Sequence, residues 1–189
     1  MNAQDSKLFV ISGPSGAGKG TLVTRVRERR SNLGLTVSAT TRAPRKGEVD
    51  GVNYFFLTRE EFDHRVANGE FVEWAEVHGN CYGTLVSEVQ SKLASGSSLI
   101  LEIDVQGALQ VKERFPEAVL IFIKPPSLEV LRERLVGRGT ETPETIELRM
   151  ANAAHELALA DRYDDVVVND DLDRATDELV RVLDMHERI

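Results

Sequence analysis

Residues 7–21 read KLFVISGPSGAGKGT, and this stretch carries the strongest fold signal of the chain. The apolar run within residues 7–12 is strand-sized and predicts a short buried strand. The glycine-rich residues 13–18 predict a loop, and residues 21–30 predict a helix with Leu22, Val23 and Val26 on one side. A strand, a glycine loop and a helix in this order are typical of an α/β fold that binds phosphate at the loop.

The spacing of Gly13, Gly18 and Lys19 matches the phosphate-binding loop called the P-loop. Glycines let successive backbone N–H groups turn toward one anion, while the helix N-terminus and the lysine add positive charge. Position 20 is a glycine where the general pattern has Ser or Thr as a Mg²⁺ contact, so we expect either Thr21 to act through water or another acid to contribute more. The residues expected to bind the polyphosphate are Gly13, Pro14, Ser15, Gly16, Ala17, Gly18, Lys19, Gly20 and Thr21.

Strand-sized apolar runs alternate with helical patterns along the chain. Strands are predicted near residues 35–38, 53–57, 71–78, 98–104, 119–123 and 165–168. Helices are predicted at 58–68, where Thr58 and Glu61 form a capping-box pattern, and after a turn at 80–84, as far as residue 94. Further helices are predicted at 105–114, from 127, at 142–160 and from 172. Such alternation predicts a three-layer α/β fold around a central parallel sheet. The polar stretch 40–90 and the arginine-rich stretch 130–160 interrupt it and are read as insertions.

Composition bounds the class of protein. A chain of 189 residues can bury one sizeable core, so we expect a single domain over 1–189. The net charge of −8 argues against a general nucleic-acid or anionic-membrane surface. Cys81 is the single cysteine, and residues 1–7 lack a basic start followed by an apolar segment. These features favour a reducing cytoplasm and argue against export.

A dense polar series follows the loop: TTRAPRKGE at 40–48, Tyr54, EWAE at 73–76, GNCYGT at 79–84, and a strand ending DVQG at 104–107. At these residues the chain closely resembles the guanylate kinase family, which phosphorylates GMP with ATP. The resemblance runs from about Leu8 to the C-terminal helix. It implies a core at about 1–37, 95–126 and 161–189, a small mixed β-sheet that binds GMP at about 38–94, and a helical lid at about 127–160.

The resemblance implies that the acceptor phosphate is held by Arg42, Arg45, Tyr54 and Tyr82. Guanidinium forks match phosphate oxygens, which agrees with that role. It further implies that guanine is held by Ser38, Glu73 and Thr84 with Asp104 nearby, and that Glu48 supports the arginine loop. Guanine has donors at N1 and the 2-amino group, so an acceptor-only carboxylate distinguishes it from adenine. Cys81 stands where a tyrosine is common and is assigned no chemistry.

The arginine-rich stretch resembles the family's lid. Arg134, Arg138 and Arg149 match arginines that close over ATP and, with Lys19, are the expected catalytic residues; for Arg132 a solvated helical face is an equal alternative. Asn169 matches the family's adenine contact. The expected cofactor is Mg²⁺ with ATP, contacted directly or through water by Thr21, Glu102 and Asp104. Residue 102 is a glutamate where the family often has aspartate.

The resulting prediction is an ATP:GMP phosphotransferase. Its substrates are ATP and GMP or dGMP, with no nucleic-acid or membrane partner, and both a monomer and a homo-oligomer remain open. Two alternatives stand beside it: a guanylate-kinase-like interaction module without catalysis, and a kinase for AMP, UMP or dTMP. The intact glycine loop argues against the first, and Glu73 against the second.

Overall fold

The computed structural model describes residues 6–77, 79–137, 139 and 142–187, which form two β-sheets and the helices that cover them. The strands are β1 (Leu8–Ser12), β2 (Gly34–Leu35), β3 (Ala39–Thr40), β4 (Phe55–Phe56), β5 (Phe71–Val77), β6 (Asn80–Leu85), β7 (Leu99–Glu102), β8 (Val119–Lys124) and β9 (Asp165–Val168). The helices are α1 (Lys19–Arg29), α2 (Arg59–Ala67), α3 (Val86–Ala94), α4 (Val105–Arg114), α5 (Leu128–Gly137), α6 (Pro143–Leu157) and α7 (Leu172–Glu187).

The larger sheet is parallel and has the order β2-β7-β1-β8-β9. Every residue of β1 is buried, because this strand lies at the centre with helices on both faces. Phe9 and Ile11 pack into the core beneath α1 and α7, whereas Leu8 and Val10 point into the core that includes α3 and α4 residues. This alternation confirms the three-layer α/β fold expected from the sequence.

The smaller sheet is mixed, with the order β4-β3-β6-β5, and α2 packs on it through Phe62. The start of α2 is the predicted capping box: Thr58 accepts from the Glu61 N–H, and Glu61 accepts in return from the Thr58 N–H. The sheet lies in the polar stretch that interrupts the larger sheet, as the sequence indicated.

The predicted turn at residues 80–84 was wrong. These residues form β6, which runs antiparallel to β5 and pairs Glu73 with Thr84 and Trp74 with Gly83. Glycine and asparagine suggested a turn, but a Cβ at Gly83 would lie 2.8 Å from the Glu73 carbonyl oxygen, so the glycine permits a close approach of two strands. The chain reverses just before β6, where Gly79 has a φ of 78°.

The predicted strand at residues 35–38 is divided between the two sheets. Leu35 ends β2 beside β7, and Ala39 begins β3 beside β4 and β6. Residues 36–38 cross between them, and the Val37 N–H donates to the Glu88 carboxylate at 3.0 Å. Residues 36–38 have strand-like composition but form the connection between the sheets. Pairing with other strands, rather than local sequence, decides where each strand ends.

The parallel sheet places all its strand carboxyl ends at one edge, which is where ligands bind in open α/β sheets. β1 leads into the glycine loop, β7 ends at Glu102, and β9 leads to Asn169. Helices α5 and α6 pack on each other through Leu131, Leu135 and Ala153. None of the helices in the described part of the chain has the length and apolar content needed to cross a membrane.

Candidate active site at the carboxyl edge of the parallel sheet

The glycine loop adopts a conformation that other residues would strain. Gly13, Gly16 and Gly18 have φ values of 141°, 91° and 91°. A Cβ at Gly13 would lie 2.2 Å from the Ile123 carbonyl oxygen, and one at Gly18 would lie 2.3 Å from the Asn169 amide nitrogen. The loop is therefore wedged between β8 and the end of β9 and needs glycine for space as well as for φ. This geometry fits an anion cradle made of backbone N–H groups.

The Lys19 ammonium lies back over this loop. Its Nζ donates to the Gly13 carbonyl oxygen at 2.6 Å and to the Pro14 carbonyl oxygen at 3.2 Å. Lys19 is the first residue of α1, so its charge adds to that of the helix N-terminus. An incoming polyphosphate would meet a full and a partial positive charge at the same place.

Asn169 and Arg134 form the opposite wall of the loop. The buried Asn169 side chain donates to the Ala17 carbonyl oxygen at 2.8 Å, and Arg134 Nη2 donates to the Asn169 carbonyl oxygen at 2.8 Å. Arg134 Nη1 is buried and finds no hydrogen-bond partner among the described residues. A cavity of about 360 Å³ lies here, lined by Gly16, Gly18, Thr21, Arg134, Asn169, Asp170 and Leu172. An incompletely paired cation beside a cavity suits an anionic ligand.

Of the remaining lid residues, Arg149 also reaches the loop. Its Nη1 donates to the Ser15 hydroxyl at 2.5 Å, joining α6 to the loop. Arg138 lies outside the described residues. Arg132 instead pairs with Glu147 on α6, with Nη2 at 3.0 Å from Oε2, so it joins α5 to α6.

Two acidic residues end or follow β7 near the loop. A Cβ at Gly20 would lie 3.5 Å from Glu102 Oε1, so the glutamate occupies the space beside the glycine. Burial raises the pKa of Glu102, and the nearby Lys19 ammonium opposes that rise. Asp104 caps α4 by accepting from the Gly107 N–H at 2.7 Å. Within the described ranges, no three His, Cys, Asp or Glu side chains are grouped to hold a metal ion.

Two of the expected guanine residues, Glu73 and Thr84, come together on the small sheet, whereas Ser38 lies on the connection between the two sheets. The Thr84 hydroxyl donates to Glu73 Oε1 at 2.7 Å, and Glu73 is only 8% exposed. Glu73 Oε2 and Asp104 Oδ1 each lie 3.4 Å from the point that a Cβ on Gly107 would occupy, so Asp104 stands beside this pair. Burial raises the pKa of Glu73; the Thr84 hydroxyl lowers it and the Asp104 charge raises it further.

The expected phosphate residues form a second cluster. Arg42 Nη2 lies 2.8 Å from Glu48 Oε1, and its guanidinium carbon lies 5.4 Å from the centre of the Tyr54 ring. The Tyr54 and Tyr82 rings meet edge to face at 6.3 Å. Glu48 also accepts from the Arg45 backbone N–H at 2.6 Å, and the Arg42 guanidinium is the main cause of its lowered pKa. The Arg45 side chain is exposed.

A cavity of about 440 Å³ lies between α1 and the small sheet, and its lining includes Gly20, Ser38, Tyr54 and Glu102. Across this cavity, the first turn of α1, which follows the glycine loop, lies opposite the expected acceptor residues. Arg27 also lines it and was not among the predicted residues. Its spacing of seven from Gly20 places both on one face of α1, a signal that could have identified it.

Comparison with known proteins agrees with this geometry. The family model described as guanylate kinase matches residues 5–186. A guanylate kinase of Halalkalibacterium halodurans is 52% identical over 183 residues, covering 97% of this chain and 90% of the relative. One of Gloeobacter violaceus is 57% identical over 178 residues, covering 94% and 87%.

A solved structure is similar over nearly the same length. The crystal structure of guanylate kinase from Anaplasma phagocytophilum superposes with a TM-score of 0.72 at 36% sequence identity, covering 96% of this chain and 86% of that one. Sequence and fold agree over almost the whole chain. The chain therefore belongs to the guanylate kinase family.

Proposed function

We propose that this protein transfers the γ-phosphoryl group of ATP to GMP, giving ADP and GDP. The observation that carries the proposal is the buried Glu73 carboxylate, hydrogen-bonded to Thr84 at 2.7 Å, on the sheet that faces an intact phosphate loop. A loop alone indicates a nucleotide and leaves the acceptor open. The carboxylate supplies the acceptor's identity.

Guanine recognition follows from hydrogen-bond complementarity. An ionised carboxylate only accepts, and guanine presents donors at N1 and the 2-amino group. Thr84 already occupies one side of Glu73, so the second oxygen and the neighbouring Asp104 remain to receive the base. Adenine would present an acceptor to the second Glu73 oxygen and leave this oxygen of a buried carboxylate unpaired.

The acceptor phosphate is assigned to the cluster of Arg42, Arg45, Tyr54 and Tyr82. Glu48 supports this assignment because it holds the Arg42 guanidinium and the Arg45 backbone at once. An arginine fixed by a carboxylate presents its remaining N–H groups in a defined direction. Ser38 lines the cavity between this cluster and the loop.

The transfer step requires little acid–base chemistry. An anionic oxygen of GMP forms a bond to the γ-phosphorus of ATP, and the bond from that phosphorus to the bridging oxygen of ADP breaks. Lys19, Arg134 and Arg149 would neutralise the charge that spreads over the transferred group. We assign Arg138 to the same set from its sequence position. Closure of 127–160 over the core and of 38–94 toward it would exclude water.

We propose Mg²⁺ as the cofactor, delivered with ATP. Mg²⁺ keeps several waters and needs only one or two carboxylates beside the phosphates. This suits the described residues, among which no three His, Cys, Asp or Glu side chains are grouped to hold a metal ion. We assign the contact to Glu102, which lies beside Gly20, and to Thr21 in the first turn of α1, with Asp104, the cap of α4, as a further candidate. The residues assigned here would hold the ion beside the phosphates, where it would supply positive charge that offsets theirs.

Gly20 and Glu102 depart from the usual pattern together. Glycine removes the hydroxyl that usually contacts the metal, and the glutamate oxygen lies 3.5 Å from where the Cβ of residue 20 would be. The longer acid therefore fills the space that the missing side chain leaves. We infer that Glu102 takes over the contact of the absent hydroxyl.

A double substitution tests this exchange. Gly20→Ser and Glu102→Asp should each weaken the Mg²⁺-dependent part of ATP binding, by about tenfold, and the double variant should recover most of the loss. ATP affinity measured with and without Mg²⁺ is the readout, with Glu117→Asp as an exposed control. Independent, additive losses would contradict the exchange.

The acceptor profile tests the proposed function itself. ADP release is followed with ATP, Mg²⁺ and, in turn, GMP, dGMP, IMP and AMP. We expect GMP and dGMP to react, and IMP, which lacks the 2-amino group, to be poorer by roughly a hundredfold in kcat/KM. Equal rates with GMP and IMP would refute the Glu73 assignment. GMP binding without turnover would identify an interaction module.

Two further points concern the compartment in which the enzyme works and its oligomeric state. We propose a cytoplasmic enzyme, because it consumes ATP and has a single cysteine, Cys81, which is buried. Both a monomer and a homo-oligomer agree with the site, since the residues assigned here come from one chain. Sedimentation analysis distinguishes the two.

A further inference from the structure

Gly107 is the third residue of α4, the helix that packs both on β1 of the large sheet and on β5 of the small one. The residue is buried, and its backbone does not require glycine, because it lies within the helix and lacks the positive φ of the loop glycines. Glycine destabilises a helix relative to alanine, since it loses more backbone freedom on folding. The missing side chain at this position therefore needs an explanation outside the helix.

The space beside Gly107 is bounded by two carboxylates. A Cβ at residue 107 would lie 3.4 Å from Glu73 Oε2, 3.4 Å from Asp104 Oδ1 and 3.3 Å from Ile103 Cδ1. The distances to the oxygens are those of van der Waals contact, and the third neighbour is the end of a flexible side chain. Alanine would therefore fit after a small adjustment, but its methyl group would fill the space between the two oxygens. Glycine leaves that space open.

Both carboxylates are held in place by other contacts. The Thr84 hydroxyl donates to Glu73 Oε1 at 2.7 Å, while the other oxygen, Oε2, lies beside Gly107. Asp104 Oδ1 accepts from the Gly107 N–H at 2.7 Å. A carboxylate offers about four lone-pair sites, so each group can accept further hydrogen bonds. The gap thus presents acceptors from two sides and suits a group that carries two N–H donors.

The 2-amino group of guanine is such a group. It has two N–H donors on one nitrogen and lies at the edge of the base beside the N1 donor. If one N–H bonds to Glu73 and the other to Asp104, the nitrogen lies between the two carboxylates. IMP and AMP carry only a hydrogen at this position of the base, so they gain nothing from an open gap.

We propose that Gly107 is a specificity-determining residue for the acceptor base, which keeps open the gap between Glu73 and Asp104 so that the 2-amino group of guanine reaches both carboxylates. The residue acts through the space that it leaves and makes no side-chain contact with the base. This inference rests on the proposed function, which supplies GMP as the acceptor.

The test is kcat/KM for GMP and for IMP, each varied at saturating ATP and Mg²⁺. Gly107→Ala should lower kcat/KM for GMP about tenfold, because a methyl group then occupies the gap. The value for IMP should stay within about twofold, since IMP has no 2-amino group. The melting temperature should not fall, because alanine favours a helix. Loss of discrimination without loss of stability is the expected signature.

Two further variants separate the gap from crowding and from helix propensity. Ile103→Val deletes Cδ1, the atom that the new methyl group would meet at 3.3 Å, and leaves both carboxylates in place. Ile103→Val combined with Gly107→Ala should show the same loss for GMP as Gly107→Ala alone. Gln110→Ala introduces alanine at an exposed position of α4 and is the matched control. Ile103→Val alone and Gln110→Ala should each change kcat/KM by less than about twofold.

Unchanged kcat/KM for GMP in Gly107→Ala, or equal losses for GMP and IMP, would overturn the proposal. Recovery of GMP phosphorylation in the double variant would assign the loss to crowding against Ile103 and would overturn it as well. If neither Gly107→Ala nor the double variant folds, the glycine serves packing and the proposal is wrong.

Failure of the proposed function would appear in the unaltered protein, as absence of GMP phosphorylation or as equal use of GMP and IMP. Failure of the inference about Gly107 would leave the unaltered protein's preference for GMP intact. The two failures are therefore distinguishable in one set of assays.

Discussion

The two regions that we propose to bind the donor and the acceptor nucleotide are built in different ways. The donor region consists largely of nine consecutive residues, 13–21, whose backbone conformation is set by glycines with φ values of 141°, 91° and 91°. The acceptor region consists of side chains from residues 38–104, brought together by the small sheet. One region is therefore local backbone, and the other is assembled from distant side chains.

Because of this difference, the loop can bind many nucleotides, whereas the acceptor region is specific for one. Backbone N–H groups bind any phosphate that fits, so the loop tolerates many nucleotides. The pair of Glu73 and Thr84 can be matched only by a ligand with donors in the right place. The five predictions below test this comparison in order of decreasing effect.

The largest effect is expected at the donor loop. Lys19→Ala removes the full charge beside the transferred group and should lower kcat by roughly a thousandfold. GMP affinity should stay within about twofold, because the acceptor cluster does not include this lysine. ADP release and equilibrium GMP binding measure the two quantities. Parallel loss of GMP binding would show that the two regions are not separate.

A smaller but more selective effect is expected at Glu73. Glu73→Gln replaces an acceptor-only group with one that also donates, and it should lower kcat/KM for GMP by about a hundredfold. IMP should lose less, because it makes fewer donor contacts. The acceptor assay measures both, and an equal loss for GMP and IMP would argue against the carboxylate as the reader of guanine.

The same variant should be more stable than the natural protein at neutral pH. Burial raises the pKa of Glu73, so the folded state favours the protonated acid. The stabilisation by protonated Glu73 is complete below the unfolded-state pKa near 4.5. It is lost as the pH rises through the pKa that Glu73 has in the folded state. Melting temperatures at pH 8 and pH 4.5 should therefore show an advantage for Glu73→Gln that shrinks in acid.

A moderate effect is expected at the acceptor phosphate cluster. Arg42→Lys keeps the charge but loses the fork that pairs with Glu48, and it should raise KM for GMP about tenfold. KM for ATP should remain unchanged. Steady-state kinetics with each substrate varied in turn provide the measurement. A change in KM for ATP alone would place Arg42 in the donor region.

The smallest effect is expected at Arg132. This residue pairs with Glu147 at the protein surface, and exposed ion pairs contribute at most about 1 kcal/mol. Arg132→Ala should change neither kcat nor KM by more than about twofold, whereas Arg134→Ala should impair transfer. Comparison of these neighbours in one assay separates an α5–α6 contact from a contact with the loop.

Much of the fold could be predicted from local signals. The capping box at Thr58 and Glu61, the position of strand β9 at Asp165–Val168, and the start of α6 after Thr142 all agree with the structure. The expected burial of β9 was wrong, because only Val167 of this strand is buried. Each signal is local because its hydrogen bonds or burial pattern involve residues close in sequence. The predicted meeting of Glu73 and Thr84 depended instead on resemblance to a family.

The errors arose where distant residues decide the outcome. The sequence of residues 80–84 is typical of a turn, but these residues form a strand because they pair with β5. The run at 35–38 has the pattern of one strand, but the chain passes there from one sheet to the other. The role of Arg138 stays a prediction.

By itself, the sequence determined the phosphate loop, the alternating α/β architecture and, through its motifs, the family. Those features depend on glycine geometry and on hydrophobic periodicity, which are encoded within short stretches. Tertiary structure alone decided that Glu102 faces Gly20 and that Arg149 reaches Ser15. These contacts join residues that are far apart in the chain, and their geometry exists only after the sheets have packed.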